Sequence, residues 1–166
     1  MAELRAALSA RGLTDVRTYI ASGNVIATAP PGRNARQRMT DMVVETVAEE
    51  FDVTCAVLVR SGKQIQAIAA ALPEEWLTDA GMRVEVLYLF DDIDDPGVLD
   101  ELPLRDGVDH GLYTPGAVLW AIKREQVTRS GLGRIIGGPL YRRMTGRNGR
   151  TARTLAAMVT DTPDKS

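Results

Sequence analysis

Hydrophobic positions change period several times along the chain, and each change marks an element. Leu4, Ala7 and Leu8 share one helical face and Gly12 follows as a stop, which predicts a short helix over residues 2–11. From residue 16 to 28 the composition turns to Val, Thr, Tyr and Ile with Gly23 in the middle, the pattern of one strand carrying a bulge or tight bend at Ser22-Gly23-Asn24. Met39, Met42, Val43, Thr46, Val47 and Phe51 then recur at three and four residues, an amphipathic helix over 34–50. The β-branched run 53–59 predicts a strand, and Ser61 with Gln64 reads as a capping box before a helix that packs Ile65, Ile68, Ala69 and Leu72.

The second half begins with the clearest strand, residues 83–90, where apolar residues fill nearly every position after Glu85. Residues 107–113 and 117–123 form a predicted hairpin around Thr114-Pro115-Gly116, its second arm carrying Trp120. Leu132, Ile135, Ile136, Leu140 and Met144 make one apolar helical face that Gly137-Gly138-Pro139 splits, and Ala152, Leu155, Ala156 and Val159 make another. This order implies an α+β fold: mixed sheets covered by helices, with a C-terminal β-hairpin followed by two short helices. One compact domain over 1–162, or two packed halves of about 1–72 and 73–162, fits the 166 residues, with 163–166 a frayed tail.

Charge adds an asymmetry that the net value of -2 hides. Between Pro73 and Asp109 twelve Asp and Glu stand against Arg83 and Arg105, and between Trp120 and Arg153 nine Lys and Arg stand against Glu125. Such blocks ordinarily neutralise each other across a fold, so Arg124, Arg129, Arg134, Arg142 and Arg143 are expected in part to face acids of 74–109. The alternative is a basic face free for a polyanion. No apolar run is long enough for a membrane span, and the acids and arginines of residues 1–12 do not suit a signal peptide, so a cytoplasmic protein without a membrane partner is expected. Cys55 reads as a buried small hydrophobe, and an internal disulfide is excluded because it stands alone.

Candidate chemistry concentrates late in the chain. Asn148 is a natural N-cap for the helix that opens with Gly149, Arg150 and Thr151, and free N–H groups there, flanked by Arg147 and Arg150, favour an anion. The bland reading is that these arginines are solvated or paired with acids of their own chain. The acid run Asp91, Asp92, Asp94 and Asp95 has no EF-hand spacing and reads as a loop and a cap, and His110 alone cannot build a histidine metal cage, so no metal and no cofactor is expected. Phosphate-loop, dinucleotide-binding and Cys-x-x-Cys motifs are absent.

The segments Thr18-Tyr19-Ile20-Ala21-Ser22-Gly23-Asn24-Val25-Ile26, Val57 to Ser61, Ser130-Gly131-Leu132 and Arg147-Asn148 with Thr151, in this order, resemble the bacterial domain-of-unknown-function 1697 family. Three departures accompany the resemblance. Gly131 stands where the family has lysine, Gly149-Arg150 replaces a Trp-Asn pair, and the apolar strand and Gly-rich loop with which family members begin have no counterpart before Met1. The resemblance implies an α+β fold and no particular reaction. It also leads to the expectation that the strand of 16–28 has an unpaired edge or an apolar groove beside it.

Four functional readings follow. One is a binding module in which Ser22, Gly23, Asn24, Arg147, Asn148, Arg150 and Thr151 take a phosphate-bearing small molecule, the two segments lining a shared cleft with Arg147 pointing toward it. A nucleic-acid backbone held by the C-terminal basic segment is the second. An enzyme of unknown reaction using the same site, or a structural domain in which these groups satisfy one another, completes the set.

Overall fold

The computed structural model describes residues 1–20 and 23–160; Ser22 and the tail 163–166 lie outside the described residues. The chain divides into two compact units, Met1–Ser61 and Gly62–Ser166.

In the first unit, helix α1 (Ala2–Ala10) is followed by strands β1 (Thr14–Tyr19) and β2 (Asn24–Thr28) and helix α2 (Ala35–Phe51). The single bent strand expected over 16–28 is instead a hairpin, with Tyr19 opposite Asn24 and Thr14 opposite Thr28. The bend is a full reversal, since Ile20 and Gly23 both take positive φ, 50° and 77°. β1 and β2 pair only with each other among the described residues, which leaves each with one unpaired edge. α1 packs on β1 and α2, and Leu8, Leu13 and Thr46 are buried. Thr46 satisfies its hydroxyl by donating to the Met42 carbonyl oxygen at 2.6 Å, one turn back in the helix.

The strand expected over 53–59 does not form. Residues 52–61 carry no ladder and Val53 is 48% exposed, while Cys55 is half-buried rather than buried. β-branched composition favours extended backbone, but a strand also needs a neighbouring edge to pair with.

The second unit contains α3 (Gly62–Ala70), α4 (Glu74–Thr78), β3 (Met82–Leu89), α5 (Val98–Glu101), β4 (Asp109–Thr114), β5 (Ala117–Lys123), α6 (Leu132–Ile135), β6 (Met144–Asn148) and α7 (Gly149–Thr160). Its sheet runs β4-β5-β3-β6. The α+β class holds with one refinement, because every ladder in both sheets is antiparallel rather than mixed. One face of the sheet carries Leu87, Leu89, Val118, Trp120, Ile122 and Met144 against Ile93, Val98, Leu102, Val108, Leu132 and Ile135. Alternation puts Val84, Val86 and Tyr88 on the other face, and these are buried as well.

The expected two C-terminal helices are present as α6 and α7, but β6 runs between them. Thr145-Gly146-Arg147-Asn148 is too polar to score as a strand from composition. It pairs with β3 from Leu89↔Met144 to Glu85↔Asn148, and an edge strand accepts polar residues because it is buried less completely than a central one. Arg147 therefore belongs to a strand, and the helix begins after Asn148.

Acids after β3 act as turn and hairpin ties. Asp94 Oδ1 accepts from the Tyr113 hydroxyl at 3.0 Å and from the Gly116 N–H at 2.8 Å, holding the β4–β5 turn, and Asp95 Oδ1 accepts from the Gly97 N–H at 2.8 Å. Asp92 takes the Nε of Arg143 at 2.8 Å. That pair and Glu74 with Arg153 join the acidic block to the basic one, as its charge predicts for Arg143.

Candidate functional site

Where β6 becomes α7, the backbone must turn from extended to helical within one residue. Asn148 makes that turn as the N-cap: its Oδ1 accepts from the Thr151 N–H at 2.8 Å. In the first turn the N–H groups of Gly149 and Arg150 have no partner within the helix. Gly149 is required by its surroundings, since a Cβ there would lie 2.8 Å from Leu77 Cδ2 and 3.0 Å from Val84 Cγ1. Packing from α4 and β3 fills the space a side chain there would take.

An open cleft of about 450 Å³ lies at this junction, lined among others by Trp76, Asp79, Arg83, Glu85, Arg124, Asn148 and Arg150. All of these belong to the second unit. Arg83 donates from Nε to Glu85 Oε1 at 2.9 Å, and Arg124 is anchored by its Nε on the Ala80 carbonyl oxygen at 3.0 Å. The guanidinium of Arg150 is exposed and makes no hydrogen bond or ion pair among the described residues. Trp76, Arg83 and Arg124 come from α4, β3 and the residue after β5, so only the fold brings them together.

Arg147 lies outside this lining. As the neighbour of Asn148 in β6 it projects from the other face of the sheet, beside Tyr88. Its Nη1 donates to Thr145 Oγ1 at 2.9 Å and to the Gly146 carbonyl oxygen at 2.7 Å. Burial pulls its guanidinium below the ordinary arginine value, against the upward pull of Tyr88 and Tyr141. The Tyr88 hydroxyl is buried with no hydrogen-bond partner among the described residues. Burial pushes it up to about 12, and the charge of Arg147 works the other way.

Gly23 and Asn24 belong to the first unit. Asn24 is buried and donates from Nδ2 to the Tyr19 carbonyl oxygen at 3.0 Å, so its amide helps to close the β1–β2 reversal.

A second polar cluster was not anticipated from sequence. Asp109, at the start of β4, accepts on Oδ1 from the buried Trp120 indole N–H at 2.9 Å and from the Ser130 hydroxyl. Its Oδ2 accepts from the backbone N–H groups of Gly131 at 2.9 Å and Arg105 at 3.0 Å. Burial would raise this carboxyl, but the bonds from Gly131, Ser130, Trp120 and Arg105 together outweigh it and hold it below the usual range. Ser130 Oγ in turn accepts from the Leu132 N–H at 3.0 Å, opening α6. Gly131 admits no side chain, because a Cβ would sit 1.7 Å from the Pro103 carbonyl oxygen.

Among the described residues, no group of three His, Cys, Asp or Glu side chains could hold a metal ion, and no helix is long and apolar enough to cross a membrane. The architecture is thus an antiparallel α+β fold with a cleft lined by both arginines and carboxylates at a strand-to-helix junction. Residues 1–120 match the family described as "Protein of unknown function (DUF1697)", and the chain belongs to that family. The Ser130-Gly131-Leu132 and Arg147-Asn148 segments lie beyond the matched residues. A solved structure with the same fold is that of a conserved bacterial protein from Streptococcus pneumoniae, 23% identical, with a TM-score of 0.78 over 96% of this chain and 88% of that one. No curated protein matches the sequence.

Proposed function

We propose that this protein is a binding module for a phosphate-bearing small molecule, taken at the start of α7. The observation that carries the reading is the open cleft in which Arg83, Arg124 and Arg150 meet the first turn of that helix. Guanidinium groups offer paired N–H donors that match phosphate oxygens, and the helix dipole with the N–H groups of the first turn favours the same charge. The cleft volume is in the range of about 300–1,000 Å³ typical of small-ligand sites. In this reading Asn148 and Thr151 shape the helix start, Arg150 supplies the charge, and Arg147 supports the strand behind them. The protein is taken as cytoplasmic, in keeping with a single free cysteine.

Thermal unfolding of the full chain in inorganic phosphate and pyrophosphate tests the reading. Pyrophosphate should raise Tm in a saturable way, and the double variant Arg124→Ala with Arg150→Ala should abolish the rise. A pyrophosphate effect no larger than that of chloride at equal ionic strength would remove the reading.

A further inference from the structure

We infer that the phosphate-bearing ligand is a nucleotide, whose base stacks on Trp76; this rests on the phosphate reading above and extends it. Three kinds of group line the cleft, and a phosphate alone would use one of them. Arg83, Arg124 and Arg150 are the cations. Trp76 is the aromatic. Its indole is half-exposed on α4, and the ring of His110 on β4 lies 6.2 Å from it, centroid to centroid, tilted by 45°. A large aromatic surface that folding leaves at the edge of a polar cleft is a stacking platform for a flat π system, a contact every nucleobase can make.

The third kind of group is acidic, Asp79 and Glu85. Asp79 Oδ1 accepts from the Gly81 N–H at 2.7 Å and Glu85 Oε1 from Arg83 at 2.9 Å, so each carboxylate is held in place by one oxygen and has lone pairs left on the other. Carboxylates repel phosphate but accept hydrogen bonds from vicinal sugar hydroxyls, the role an acidic residue plays toward ribose in dinucleotide sites. Cation, carboxylate and indole thus correspond to phosphate, ribose and base. The volume of about 450 Å³ is in the range of small-ligand sites.

Tryptophan emission provides the test, since the chain has two tryptophans and Trp120 is fully buried and bonded to Asp109. Titrating the full chain with AMP should quench the emission of Trp76, and AMP should bind at least about tenfold tighter than ribose 5-phosphate, which carries the same single phosphate, as base stacking on an aromatic residue supplies. Trp76→Ala should bring AMP down to the ribose 5-phosphate affinity while leaving pyrophosphate binding unchanged. Trp76→Phe, which keeps a stacking face, should retain most of the preference. Equal affinities for AMP and ribose 5-phosphate would overturn the inference and leave the phosphate site standing, as would an AMP preference that survives Trp76→Ala. No binding of any phosphate would overturn both. Tighter, steeply salt-dependent binding of a single-stranded oligonucleotide than of AMP would overturn the inference in favour of a nucleic-acid surface.

Discussion

Asp109 and Arg150 are both charged groups of the second unit, yet one is closed against its own chain and the other faces an open cleft. Four donors from three segments converge on Asp109, whereas the guanidinium of Arg150 makes no hydrogen bond or ion pair among the described residues. The difference teaches how to weigh a polar residue. A charge whose hydrogen bonds are all used within the chain is serving the fold, because desolvating it without them would be costly. A charge left open at a helix start contributes little to stability and remains available to a partner.

Variants that open the closed cluster should have the largest effect. Asp109→Ala strands the indole N–H of Trp120 and two backbone N–H groups, and should cost about 3 kcal/mol or more, read from urea unfolding at pH 7. A loss below about 1 kcal/mol would show the cluster to be incidental. The depressed carboxyl also predicts a pH window. Its stabilising contribution is complete above the unfolded carboxylate value of about 4 and is lost as pH falls through the lower folded value. The gap between wild type and Asp109→Asn should therefore be full near pH 7 and shrink in strong acid.

Gly131→Ala probes the same region through sterics. With a Cβ 1.7 Å from the Pro103 carbonyl oxygen, the backbone must shift, at a cost of about 2–3 kcal/mol by the same unfolding measurement. A neutral result would mean that the approach of residue 103 to the start of α6 is not tight in solution.

The helix cap lies between the two extremes, since Asn148 serves the fold and lines the cleft. Asn148→Ala should lose about 1 kcal/mol, and Asn148→Asp should recover most of it. Tyr88 is the opposite case, a buried hydroxyl without a hydrogen-bond partner among the described residues. Tyr88→Phe should be neutral or stabilising by up to about 1 kcal/mol at pH 7. Because the folded value is raised to about 12, wild type should lose stability between about pH 10, where the unfolded tyrosine ionises, and pH 12. Calorimetry across that range should find the loss smaller in the phenylalanine variant. A Tm drop of several degrees at pH 7 would instead assign the hydroxyl a bond.

Arg150→Ala should have the smallest effect on the free protein, within about 0.5 kcal/mol of wild type, while weakening the pyrophosphate-induced shift in Tm. A stability loss above 1 kcal/mol would move Arg150 to the architectural side of the comparison.

Local pattern by itself determined the α+β class, α1, α2, β3, the β4–β5 hairpin and the Asn148 cap, because each depends on periodicity, turn chemistry or side-chain bonds spanning a few residues. Where a neighbour decides the outcome, the pattern misled. Residues 53–59 have strand composition and no ladder, and 144–148 have loop composition and a ladder, since pairing with β3 is a property of the second chain segment. The reversal that makes two strands of 16–28 needed the positive φ of Ile20, which an isoleucine gives no sign of adopting. The candidate site shows the same division. Asn148 and Arg150 are legible as a helix start, but Trp76, Arg83 and Arg124 come from three separate elements and carry no local signal. Only the antiparallel sheet, which sets α4 and the ends of β3 and β5 beside the β6–α7 junction, gathers them into one cleft. Arg147 and Asn148 are adjacent in sequence and divided by the fold, because neighbouring residues of a strand face opposite sides of its sheet.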